Sequence, residues 1–96
     1  MAIRLEKRDG KSMKPLVRAG SMVAIDRGDR EIHKNKPYAV RSEWRCTIKF
    51  LQKEADIMIM MPKNPARESF PIQILNLSEL NYDPIVGRVI RNWQTL

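Results

Sequence analysis

Ser12 sits inside Gly10-Lys11-Ser12-Met13-Lys14-Pro15, a stretch opened by a glycine and closed by a proline. A serine hydroxyl is a poor nucleophile until a neighbouring base takes its proton. His33, the one histidine, lies in a polar stretch that nothing in the sequence brings to Ser12. The other candidate base is Lys49, in Cys46-Thr47-Ile48-Lys49-Phe50-Leu51. A lysine can do this work only when neutral, which requires apolar burial to pull its pKa down from about 10.4 toward neutrality. Strand alternation puts Thr47, Lys49 and Leu51 on one face and Cys46, Ile48 and Phe50 on the other. Both faces therefore carry apolar residues, as a neutral lysine needs. Backbone N–H groups at the Gly10 to Met13 bend would stabilise a developing oxyanion. The chemistry these residues suggest is a serine–lysine dyad, with Ser12 as nucleophile and Lys49 as general base. Each half has a plainer alternative. A serine after a glycine is commonly a turn residue, and a lysine on a strand commonly faces solvent.

The elements that must position these two groups read as strands. Ile3 and Leu5 alternate with Arg4 and Glu6, a short half-buried strand that ends at the Asp9-Gly10 turn. Pro15 suits the first turn of a short helical piece over Pro15 to Arg18. Met22 to Ile25 is an apolar strand stopped by Asp26 and Gly28-Asp29. Arg30 to Lys36 is a polar loop with Ile32 as its one anchor to the core. Pro37 to Arg41 and Arg45 to Leu51 form a hairpin whose tip is Ser42-Glu43-Trp44. Gln52 to Asp56 is a polar connection and Ile57 to Met61 a further strand. Pro62-Lys63-Asn64-Pro65 is a rigid turn. Phe70, Ile72 and Ile74 alternate as a strand that Pro71 confines to an edge. Leu75 to Leu80 is a one-turn helix with Asn76 or Ser78 near its start. Asp83-Pro84 turns the chain into a last strand, Ile85 to Ile90, where Gly87 marks a bulge or a close contact. Short strands separated by turn signals predict a mainly β domain.

Ninety-six residues with 43% apolar and 30% charged content make one globular domain over residues 1–96. No apolar run is long enough to span a bilayer, and the N-terminus lacks a signal-peptide core. No membrane partner is expected, and a cytoplasmic location follows. The single cysteine, Cys46, excludes an internal disulfide and a cysteine-based zinc site. No metal or cofactor is expected. Cys46, Met58, Met60 and Met61 read as core residues, Tyr82 and Trp93 as packing residues, and Trp44 as folded back on the protein. The net charge of +7 is spread from Arg4 to Arg91, with small groups at Lys7-Arg8 and Lys34 to Lys36. Direct nucleic-acid binding through those groups is one function class this leaves open.

In order along the chain, five stretches resemble one family. They are Gly10 to Pro15, Ala19-Gly20-Ser21-Met22 through Asp26, Thr47 to Leu51, Pro62-Lys63-Asn64-Pro65, and Ile85 to Ile90. Together they are similar to the C-terminal peptidase domain of LexA-like and phage CI-type repressors, which UmuD shares and which signal peptidase distantly resembles. The spacing of Ser12 and Lys49 is also similar. The resemblance implies several strongly curved antiparallel sheets with one or two short helical turns and a dyad in a cleft. It implies a self-cleaving serine endopeptidase with Ser12 as nucleophile and Lys49 as general base, acting on an upstream Ala-Gly or Cys-Gly bond. It also implies a homodimer, a RecA filament as trigger in the SOS response, and DNA contact through an upstream helix-turn-helix domain. Ser21 stands where the family has an aspartate. The residues before Ser12 are too few for a helix-turn-helix domain or cleavage segment, and Ala19-Gly20 follows the serine, so it is not read as the scissile bond. A catalytically silent dimerisation domain is the alternative.

Overall fold

The computed structural model describes residues 2–4, 22–41 and 45–93. These form seven strands: β1 (Ala2–Arg4), β2 (Met22–Asp26), β3 (Pro37–Arg41), β4 (Cys46–Glu54), β5 (Ile57–Met61), β6 (Gln73–Asn76) and β7 (Ile85–Trp93). All neighbouring pairs are antiparallel, and the strands lie in the order β1-β2-β7-β3-β4-β5-β6. The mainly β expectation holds, with the strands joined here in one continuous ladder. Among the described residues the only helical element is a 3₁₀ turn, Leu77–Glu79, and Asn76 caps it by accepting from the Ser78 N–H. The Pro15 to Arg18 helical piece, the Asp9-Gly10 turn and the Ser42 to Trp44 tip lie outside the described residues.

Alternation puts a separate core on each face of the sheet. On one face Val23, Ile25, Ala39, Ile48 and Val89 are buried together, with Cys46, Phe50 and Val86 packed against them. On the other face Tyr38, Val40, Leu51 and Met58 are buried, with Ile32, Met60, Leu75, Leu77 and Ile85 around them. Cys46 and Met58 are core residues as expected, and Ile32 does anchor its loop.

Leu75 and Asn76 belong to β6, so the helical turn is Leu77–Glu79 and not Leu75 to Leu80, and β7 runs past Ile90 to Trp93. Two further boundaries differ from the sequence expectation. β4 continues to Glu54, so Gln52, Lys53 and Glu54 are strand, not connection. They pair with Ile59, Met58 and Ile57, leaving only Ala55-Asp56 as the hairpin loop. Ala55 takes φ 51 there, in the left-handed region. At the other boundary, Phe70 and Ile72 are not in β6, which begins at Gln73. The Phe70 N–H instead closes a turn onto the Ala66 carbonyl at 2.8 Å, and Pro71 has no N–H to give a ladder. β6 is nonetheless the edge strand that Pro71 suggested.

Gly87 lies in β7 next to the Arg88–Asp26 pair, where β7 comes closest to β2. A Cβ there would stand 2.2 Å from the Asp26 carbonyl oxygen, so only glycine lets the two backbones approach. The register shifts between Ala24 and Ile25 and between Ala39 and Val40 lie on either side of this close approach and bend the ladder.

Candidate functional site

Lys49 lies in β4 directly opposite Tyr38 of β3. Cross-strand partners project to the same face, with Cβ atoms about 4.5–5.5 Å apart. Lys49 is therefore on the face that holds Tyr38, Val40, Leu51 and Met58, and it is half-buried. Tyr38 is fully buried, and Leu51, two residues along the same face, is nearly so. Lys49 is thus partly exposed on a face that carries a packed core. The predicted nucleophile, Ser12, lies outside the described residues, as do the Gly10 to Met13 bend, Ala19 to Ser21 and the Lys7-Arg8 pair.

The cross-strand row through Lys49 runs across four strands. Asp26 of β2 pairs with Arg88 of β7, Arg88 with Tyr38, and Tyr38 with Lys49. Above this row passes the loop that follows β2. Its Asp29 carboxylate accepts from Arg88 Nε at 2.7 Å, and its backbone carbonyl accepts from the Arg88 N–H at 3.0 Å. That hydrogen bond, and then the charge of Asp29, raise the pKa of Arg88 and keep its guanidinium charged. The same loop is pinned a second time. The Tyr38 hydroxyl donates to the Glu31 carbonyl at 2.7 Å and accepts from the His33 N–H at 2.7 Å. Residues 29–33 thus form a strap held over this face by one ion pair and one buried phenol.

His33 contributes its backbone to this strap. Its imidazole is half-exposed and 4.0 Å from Asp29 Oδ1, beyond hydrogen-bond range. Lys34 and Lys36 are exposed in the turn that follows, where Asn35 has φ 64. Tyr82, expected as packing, lies under the Arg41 guanidinium at 5.2 Å. Arg41 Nε also donates to the Asp83 carbonyl at 3.0 Å, and Arg30 pairs with Asp83 at 2.7 Å. These contacts tie the strap's start and the end of β3 to the turn before β7. Among the described residues no group of three or more His, Cys, Asp or Glu could hold a metal ion. No helix among them is long and apolar enough to cross a membrane.

Sequence reasoning singled out Lys49 and did not anticipate Tyr38, Asp29 and Arg88 as its surroundings. The first had a signal, since a tyrosine at the centre of a buried strand needs a partner for its hydroxyl. Asp29 and Arg88 are 59 residues apart, and nothing local announces their pairing.

Two other motifs singled out in the sequence lie among the described residues and have a structural duty. Asn64 Oδ1 accepts from the Ala66 N–H at 3.0 Å, which builds the Asn-Pro turn. In Gly87-Arg88-Val89 the glycine permits the close approach of β7 to β2, the arginine ties down the strap, and the valine enters the core. No curated protein matches the chain. A family model does, over residues 5–90, a span that includes every one of these motifs, and it is described as Peptidase S24-like. The chain belongs to that family, the LexA- and UmuD-type peptidases.

Proposed function

We propose that this domain is a serine–lysine peptidase in which Lys49, as the neutral amine, takes the proton of the Ser12 hydroxyl. Ser12 then attacks a peptide carbonyl, the C–N bond breaks as the leaving amine takes the proton from Lys49, and water hydrolyses the Ser12 ester to free the acid and the serine. The observation that carries this reading is the setting of Lys49, half-buried beside Tyr38 and Leu51 on a packed face of the sheet. Membership of a peptidase family supports the same reaction class. The substrate bond is an Ala-Gly or Cys-Gly bond, and in a longer chain it would lie upstream of Ser12 and be cut in response to a RecA filament.

The test is cleavage of an added peptide carrying an Ala-Gly bond. The rate is expected to rise with pH as Lys49 loses its proton. Ser12→Ala and Lys49→Ala should each lower it by at least about a hundredfold, the lower end of what proton transfer by a placed group contributes. Cleavage by both variants at the unsubstituted rate would refute the reading.

A homodimer is the second part of the proposal, and a separate observation favours it. Ile57 and Ile74 are 39% and 70% exposed on one face of the β5–β6 edge, where Ile59 pairs with Ile74. Sedimentation should show a concentration-dependent dimer that Ile74→Lys weakens. A monomer at every concentration would remove this part alone.

A further inference from the structure

We propose that Tyr38 is the positioning residue of Lys49, and that its hydroxyl acts by locking the 29–33 strap over the face on which the lysine works. The proposal rests on Lys49 as the general base, and adds a residue outside the nucleophile and lysine motifs. Three observations meet at Tyr38. It is the direct cross-strand partner of Lys49, so its ring borders the stem of the lysine. It is fully buried, so the Tyr38 side of that border is closed to water, while Lys49 is half-buried. Its hydroxyl is committed in both directions, donating to Glu31 and accepting from His33.

Phenylalanine would fill the same space. The hydroxyl therefore adds the strap, through two hydrogen bonds that hold loop backbone against a β-sheet face. Without it the Glu31 carbonyl and the His33 N–H must find water, and water reaching them reaches the face shared with Lys49. A better hydrated amine is more readily protonated and is lost as a base at neutral pH. The titratable and charged groups around this face are few. Apart from Tyr38 and Lys49 themselves, Lys53 comes from further along β4, and Asp26 of β2 stands in the same cross-strand row. Arg88 comes from β7, with its charge offset by Asp29, and Glu31 and His33 come from the strap. None of them changes when Tyr38 becomes phenylalanine, so the variant isolates the lock from local charge.

The test uses two variants and two readouts. Tyr38→Phe removes the hydroxyl, and His33→Pro removes the N–H that donates to it while leaving Tyr38 in place. One readout is the titration of the Lys49 side chain followed by NMR, which does not require catalysis. The other is the pH profile of kcat for peptide cleavage. Both variants should move the Lys49 midpoint to higher pH by about one unit and lower kcat at pH 7 about tenfold, with the loss recovered at alkaline pH. KM should stay nearly constant. An unchanged Lys49 midpoint in the variants that fold would overturn the proposal, as would an ordinary lysine midpoint in the unsubstituted protein. If Lys49 titrates low, responds to both variants and no peptide is cleaved, the peptidase reading fails while the role of Tyr38 stands.

Discussion

Lys49 is half-buried because of parity. The residue across from it and the residue two positions beyond it both belong to a core, so its stem leaves the backbone among apolar atoms. That much was legible in the sequence, where Thr47, Lys49 and Leu51 alternate with Cys46, Ile48 and Phe50. The hydroxyl lock at Tyr38 was not, because its partners are backbone groups of a loop whose path is set by Asp29 and Arg88. A residue-scale test of the backbone is available at Ala55. Its φ of 51 places a side chain in the left-handed region, which costs an L-residue roughly 1–2 kcal/mol. Glycine avoids that cost but loses more freedom on folding. Ala55→Gly should therefore raise stability by up to about 1 kcal/mol in urea unfolding. A lower midpoint would show that the Ala55-Asp56 turn is held by something other than backbone preference.

At the scale of elements, apolar alternation located most of the strands and failed where strands are polar. The end of β4 was read as a connection because Gln52, Lys53 and Glu54 are all exposed, and exposure leaves no hydrophobic pattern to follow. Its pairing comes from β5, whose backbone needs a partner whatever the side chains opposite. The reverse error fell at Phe70 and Ile72, where alternation was present but Pro71 and the turn onto Ala66 keep the backbone out of the ladder. Gly87, read as a bulge or close contact, is the point where β7 and β2 nearly touch. A methyl group there meets the backbone of Asp26 rather than a side chain that could rotate away. Gly87→Ala should destabilise by about 1–3 kcal/mol or more, the cost of overpacking against a rigid neighbour. An unchanged urea midpoint would mean that β2 and β7 can separate without penalty.

Across the whole molecule, the last strand in sequence lies in the middle of the sheet, between β2 and β3. β1 and β2 form one part of the ladder and β3 to β6 the other, and β7 joins them. This order follows from pairing between distant segments, so local patterns could give the strands but not their sequence across the sheet. Contacts of such separation must form after long loops close, which makes the fold depend on its C-terminal strand. A chain ending at Pro84 should lose cooperative unfolding, and a sharp transition in that truncated chain would show the two parts to be independent. The same arrangement brings Arg88 of β7 beside Tyr38 of β3, so the strap over the lysine face cannot be set until the sheet is complete. The most direct measurement of the proposed dyad is labelling of the intact protein with a fluorophosphonate, followed by mass spectrometry across a range of pH. One adduct is predicted, on Ser12, forming faster as pH rises and lost in Lys49→Ala. Equal labelling of Ser12 in Lys49→Ala, or no labelling of Ser12 at any pH, would contradict it.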